Sequence, residues 1–265
     1  MSIHYLSFLL LLLTPLILAT TPEAIDGFNI IWSDDFSGTE LDSDNWTIWT
    51  GINSNAEEES YTNSPSNCHV SDADTFIITP QVNNGQWTSC RIQTTPSFSA
   101  PAGGKIIVQS RLKLGTAGSQ LQGIWPAFWS LGQAMREGTS WPECGEIDTM
   151  ENINGGSLGY GTLHCGTQCN DDTGLSAGTA FDYGEYHTWA HAIDLSNGDW
   201  TQQTITWYMD GQAYHVISGS DIGDEGVWGN VAHKAMYMTL NVAIGGDWPG
   251  APAADTASGS DAGME

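Results

Sequence analysis

The segment 235–244 constrains the fold more tightly than any other stretch of the chain. Met236, Met238, Leu240, Val242 and Ile244 alternate there with Tyr237, Thr239 and Asn241. A period of two places the first set on one face of a β-strand and the second on the other, whereas a helix would scatter both around its axis. Residues 105–114 repeat the pattern. Ile106, Val108, Ser110, Leu112 and Leu114 share one face, and Lys105, Ile107, Gln109, Arg111 and Lys113 share the other. A sheet with one apolar face and one polar, aromatic-bearing face packs on a partner sheet and leaves its second face for a ligand. Further strands are expected at 28–33, 76–80, 86–93, 123–131, 158–164, 187–194, 202–209 and 212–218. Asn84-Gly85 and Asp210-Gly211 mark the clearest hairpin turns, because both central residues must accept positive φ. Helical periodicity is nearly absent beyond one turn at 133–138, and neither a repeat nor an interdomain linker is visible. The reading is a single all-β domain.

Residues 1–20 read as a secretory signal peptide. Leu6 to Leu18 is almost wholly apolar, too short to span a bilayer, and is followed by the small Ala19. The mature domain, 21–265, is therefore expected to be secreted, extracellular and free of membrane. The chain carries 31 Asp+Glu against 6 Lys+Arg, a formal charge of −25. That balance excludes nucleic acid and anionic membranes as partners, since both require a basic surface. With 12 Trp and 31 Gly it suits a neutral ligand, although solubility alone accounts for the charge equally well. Five cysteines in a secreted chain imply disulfides with one thiol left over. Cys165 and Cys169 are spaced to staple one loop. Cys68 and Cys90 flank a hairpin whose register does not place them opposite each other, and Cys144 either competes for a partner or stays free. Asn45-Trp46-Thr47 is an N-glycosylation sequon.

The chemistry concentrates in Gly145–Asn152. Glu146 and Asp148 share a strand face, but Glu151 lies five residues beyond Glu146, and strict alternation sends it into the core. One β-bulge at Thr149–Met150 returns it to the face of the other two acids and turns Thr149 and Met150 inward with Ile147. Two carboxylates flanking a glycosidic bond are the usual machinery for cleaving it, one as nucleophile and one as a proton donor. Asp148, between them, raises the proton affinity of both neighbours. Taken alone, the acidic pattern equally suits a solvent-facing strand or a calcium site. The aromatic residues around it favour the glycosidic reading. Trp125, Trp141 and Trp248 lie in Gly/Pro-rich segments at strand ends, where aromatic faces can stack on sugar rings. Trp189 and Trp207 read as core.

Gly123–Leu131 followed by Gly145–Asn152 resembles the core signature of glycoside hydrolase family sixteen, the laminarinase-like endo-β-1,3(4)-glucanases, fungal-type. The resemblance extends to Trp32–Gly38, similar to the family's opening strand, and to Asn55–Thr62, similar to a substrate-side loop. Ser89–Thr94 and Leu240–Gly250 resemble two further cleft strands. It implies a concanavalin A-like jelly-roll sandwich of two curved antiparallel sheets with the site on the concave face. It also implies Glu146 as nucleophile, Asp148 as its assistant and Glu151 as acid/base. Trp125, Trp129, His164, Asn55, Glu57, Arg91, Trp141, Asn241 and Trp248 are the expected substrate-binding residues. The extra residue between Asp148 and Glu151 resembles the laminarinase-type subgroup rather than the strict lichenases. A closing strand is expected to begin at Met264, of which the chain holds only Met264-Glu265; on this reading the domain lacks that strand and is less stable for it. No metal or cofactor is expected. The expected activity is retaining endo-hydrolysis of neutral β-1,3 or mixed β-1,3/1,4-glucan by a monomer, with a transglycosylase or a glycan-binding lectin-like domain as the alternatives.

Overall fold

The computed structural model describes residues 21–52, 55–116 and 118–265, with the side chain of Ser119 left aside. The expected signal peptide at 1–20 lies outside the described residues. Among them, two antiparallel sheets form the sandwich. The larger runs β1 (Trp46–Ile48), β7 (Arg91–Thr94), β16 (Met236–Ile244), β9 (Ile124–Gly132), β10 (Glu146–Glu151), β11 (Leu158–His164), β12 (Leu175–Ala180). The smaller runs β15 (Gln212–Ser218), β14 (Thr204–Met209), β13 (Tyr186–Asp194), β8 (Lys105–Lys113). Two small sheets flank them, one of β2 (Glu59–Tyr61), β6 (Gln86–Ser89) and β5 (Gln81–Asn83), the other of β3 (Cys68–Val70) and β4 (Phe76–Ile78).

The period-two pattern sets the layers. From β16, Met238, Leu240, Val242 and Ile244 enter one buried cluster with Phe128 and Met150 of the same sheet and with Leu112, Leu114 and Trp189 from the opposite side. The other face of β16 is not open, as every residue of the strand is buried, Tyr237, Thr239 and Asn241 included. The Arg136 guanidinium lies 3.7 Å over the Tyr237 ring, and Asn241 is hydrogen-bonded to Trp129 and Tyr61. Both expected hairpin turns form, with φ of 52° and 76° at Asn84-Gly85 and 48° and 76° at Asp210-Gly211. Trp189 and Trp207 are core residues, as their positions on the strand face require. They pack through gaps in β11, where a Cβ on Gly159 would lie 2.3 Å from the Trp189 ring and one on Gly161 2.4 Å from that of Trp207. The sequence Gly-Tyr-Gly in that strand therefore brings the two sheets together while Tyr160 points to the cleft.

Four expectations are corrected. Residues 28–33 do not form a strand. Ile30 and Ile31 are 70% exposed, and the segment is held by its side chains, Trp32 donating to Asn45 Oδ1 at 3.1 Å and packing edge-on against Trp46. The expected strand at 86–93 is two strands in different sheets, broken at Cys90. Helix is present as α1 (Gly219–Ile222) and α2 (Glu225–Ala232). The side chain of Asp224 accepts from Val227 N at 3.0 Å to cap α2, while Trp228, Val231 and Ala232 bury its inner side. Eight residues are too few for periodicity to reveal, but the cap was present in the sequence. The cysteine alternatives resolve as Cys68–Cys90 and Cys165–Cys169, with Cys144 a buried free thiol. The hairpin register was the wrong guide to the first pair, because Cys68 belongs to the β3–β4 sheet and Cys90 to the break after β6. At the end of the chain, Met264 bridges Ile78 on one side and Leu114 on the other, and Glu265 exchanges backbone hydrogen bonds with Lys113.

Candidate active site

The site is built on β10, the fifth strand of the large sheet. Against β9, Asp148 pairs with Trp129 and Met150 with Phe128, so Thr149 is an extra residue with no opposite number. Against β11, Asp148 pairs with Thr162 and Glu151 with Tyr160. The expected bulge is therefore present. Ile147, Thr149 and Met150 are fully buried on the inner side. Glu146, Asp148 and Glu151 share the outer face with Trp125, Trp129 and His164.

The outer face holds a tight set of contacts. His164 Nε2 lies 3.2 Å from Asp148 Oδ2 and 3.9 Å from a Glu146 oxygen. Trp125 Nε1 donates to Glu151 Oε1 at 2.9 Å. The Trp125 ring meets Trp248 edge-on at 5.6 Å, and Tyr160 meets Trp248 at 5.4 Å. Trp141 is 37% exposed and lies over the His164 ring at 5.5 Å. Among the described residues, Glu146, Asp148 and His164 also present one ligand atom each within 4.8 Å of one another. A cation there would occupy the carboxylate centre itself.

On the other side of the cleft, Arg91 lies between two indoles, 4.7 Å from the Trp129 centroid and 5.1 Å from that of Trp49. Trp129 Nε1 donates to Asn241 Oδ1 at 2.8 Å, Asn241 Nδ2 donates to the Tyr61 hydroxyl at 3.0 Å, and Tyr61 donates to Glu57 at 3.3 Å. Asn241 thus spends its carbonyl and one N–H on fixing Trp129 and Tyr61. Asn55 borders the same cleft through its backbone, its carbonyl accepting from Asp247 N at 3.1 Å beside the Trp125 ring. All twelve expected residues therefore lie along the large sheet or its rim. Trp49 and Tyr160 complete the cleft walls, and the buried Glu59, Tyr61 and Thr162 support them from within; none of the five is among the expected residues. The signal for two of them was available, since Glu57, Glu59 and Tyr61 alternate and a strand must place them on one face.

Burial governs the electrostatics. It holds the Glu146 carboxyl well above the ordinary value of 4.5, Asp148 adds to this, and His164 and Arg91 oppose it. Burial also pushes Asp148 up to about 8. Glu151 rises to about 8 through burial and then the charge of Asp148, against the pull of His164 and the hydrogen bonds from Trp125 and Thr162. Three carboxylates in one dry site cannot all be charged near neutral pH, so the group retains protons. That is the condition for one carboxyl to act as an acid beside another acting as a base.

A family model described as "XgeA-like, catalytic GH16 domain" matches residues 48–211, more than half of the chain. The chain belongs to glycoside hydrolase family sixteen. It is 32% identical over 254 residues to the glucan endo-1,3-beta-glucosidase A1 of Niallia circulans, covering 87% of this chain and 36% of that one. The chain thus spans about a third of that relative's length. It is 29% identical over 250 residues to the glucan endo-1,3-beta-glucosidase of Cryptopygus antarcticus, covering 89% of this chain and 87% of that one. In structure it is similar to the endo-1,3-beta-glucanase of Streptomyces sioyaensis, with a TM-score of 0.86 at 32% identity over 92% of this chain and 95% of that one. The jelly-roll sandwich expected of a family-sixteen domain is thus the fold observed.

Proposed function

We propose that this family-sixteen domain is a secreted, monomeric endo-glycosidase that cleaves neutral β-1,3 or mixed β-1,3/1,4-glucan with retention of configuration. The observation that carries the reading is the bulge at Thr149, which returns Glu151 to the face of Glu146. A retaining mechanism assigns the two acids opposite roles. Glu146 attacks the anomeric carbon, with His164 and then Arg91 opposing the upward pull of burial and Asp148 on its carboxyl. Glu151 gives its proton to the departing glycosidic oxygen. In the second half, the Glu151 carboxylate takes a proton from water as the water oxygen displaces Glu146 from the same carbon. His164 Nε2, 3.2 Å from Asp148 and 3.9 Å from Glu146, stands between the nucleophile and its assistant. Trp125, Trp248 and Tyr160 form an aromatic wall on one side of the reaction centre, and the Trp129–Arg91–Trp49 stack forms one on the other. Such faces suit the C–H surfaces of neutral sugar rings.

Reducing-sugar release from laminarin and lichenan, with product chromatography, tests the reading. Wild type is expected to release oligosaccharides, and Glu146→Ala and Glu151→Ala each to lower release about a hundredfold or more. Glycan binding by wild type without turnover overturns the hydrolase reading in favour of a lectin-like domain. Products longer than the substrate identify transfer to sugar in place of water.

A further inference from the structure

The bulge that assembles the carboxylate face also breaks the backbone ladder, so the carbonyls of Asp148 and Thr149 need partners from elsewhere. Those partners come through the core from the opposite sheet. Trp207 Nε1 on β14 donates to Asp148 O at 2.7 Å. Thr149 Oγ1 and His191 Nδ1, on β13, share a 2.7 Å hydrogen bond. The Tyr214 hydroxyl, on β15, donates to Thr149 O at the longer distance of 3.4 Å. Three neighbouring strands therefore converge on two consecutive residues of β10. His191 and Trp207 are opposite each other in the β13–β14 ladder. Tyr214 is itself the extra residue of a second bulge, since Trp207 pairs with His215 and Tyr208 with Ala213.

The contact passes through Gly161. A Cβ at that position would lie 2.4 Å from Trp207 Cδ1 and 2.7 Å from the Tyr214 hydroxyl. Its absence lets both side chains reach the strand beyond. Trp207 is fully buried and His191 is 1% exposed, and burial drives the His191 pKa down to about 3, so the imidazole enters the contact neutral. Buried polar groups placed this way are costly unless they are paired, and here each is paired with the bulge.

We propose that Trp207, His191 and Tyr214 are positioning residues that clamp the Asp148–Thr149 bulge from behind and so fix where Glu146 and Glu151 point. The effect on hydrolysis rests on the function proposed above, but the geometric claim does not. Trp207 carries most of the clamp, because its bond is short and its acceptor is the carbonyl of a carboxylate residue.

Trp207→Phe removes the N–H and part of the ring. Trp189→Phe makes the same truncation over Gly159 and serves as the packing control. Both variants are expected to lose thermal stability. Trp207→Phe is expected to lower kcat on laminarin about tenfold to a hundredfold with KM nearly unchanged, as suits displaced reacting groups, and to shift the pH–rate profile. Trp189→Phe is expected to keep kcat within about twofold, because it removes no hydrogen bond to the bulge, its ring meeting the clamp only at Tyr214, edge-on at 6.2 Å. Side-chain carboxyl titration by 13C NMR on Glu-labelled protein reads the same displacement without turnover. If wild type hydrolyses no glucan yet the titrations move in Trp207→Phe and not in Trp189→Phe, the functional reading fails and the clamp stands. If folded Trp207→Phe matches Trp189→Phe in kcat, pH profile and titrations, the clamp is overturned.

Discussion

The indole of Trp125 donates its N–H to Glu151 at 2.9 Å while its ring stands in the cleft wall against Trp248. One side chain thus serves both the substrate surface and the charge state of the proposed acid. A hydrogen bond to a carboxylate favours ionisation, so the bond lowers a Glu151 pKa that burial and Asp148 raise. Trp125→Phe keeps an aromatic face and deletes the donor. The basic limb of kcat/KM, which reports loss of the acid's proton, is expected to move to higher pH in this variant. A basic limb at the wild-type position would show that Glu151 is not the group titrating there.

Azide separates the two carboxyl roles. In Glu146→Ala no nucleophile remains, so azide attacks the anomeric carbon of an activated β-glycoside directly and gives the α-azide. In Glu151→Ala the glycosyl-enzyme still forms from a substrate with a good leaving group, and azide opens it to give the β-azide. Without azide, each variant is expected to lose about 10²–10⁴-fold or more in rate on glucan, the range for losing a positioned acid or nucleophile. Proton NMR of the glycosyl azide gives the anomeric configuration. The opposite assignment of products would exchange the roles of Glu146 and Glu151.

The disulfides invite a stability comparison. Cys68–Cys90 closes 22 residues and Cys165–Cys169 closes 4. Loop-closure entropy assigns about 3 kcal/mol to the first and about 2 kcal/mol to the second. Urea unfolding of the two Cys→Ser double variants is expected to follow that order. The first variant is also expected to loosen the start of β7, because Cys90 immediately precedes Arg91. A larger loss from Cys165→Ser/Cys169→Ser would show that local geometry near His164 outweighs chain entropy.

Much of this architecture was legible because period two is a strong constraint. Residues 235–244 follow it and form a strand at 236–244, and the strand expected at 158–164 forms with those limits. The bulge was legible for the same reason, since Glu151 fits the carboxylate face only if one residue is absorbed. Where the reading failed, the deciding contacts were long-range. Trp32 is anchored by Asn45 and Trp46, which no pattern within 28–33 encodes. The polar clamp behind β10 was hidden for a related reason. Trp207 was recognised as core from alternation, yet the direction of its N–H depends on Gly161, 46 positions earlier, being small enough to pass.

Glu59 gives a test with a definite sign. It is 1% exposed, and one oxygen accepts from Ile244 N at 2.7 Å. Burial, with the neighbouring Glu57, raises its pKa from 4.5 to about 8. Between those values the folded state holds a proton that the unfolded chain releases, so the group's stabilising contribution is present below pH 4.5 and is lost as pH rises toward 8. Glu59→Gln keeps an acceptor for Ile244 N and removes the titration. The melting temperature of the variant relative to wild type is therefore expected to climb from pH 5 to pH 8. His191 works in the opposite direction, its neutral form stabilising above pH 6.5 and that contribution being lost as pH falls toward 3, but it is common to both proteins and cancels in the difference. Melts at three pH values across the window are sufficient. A difference that stays flat would mean that Glu59 is already ionised in the folded protein.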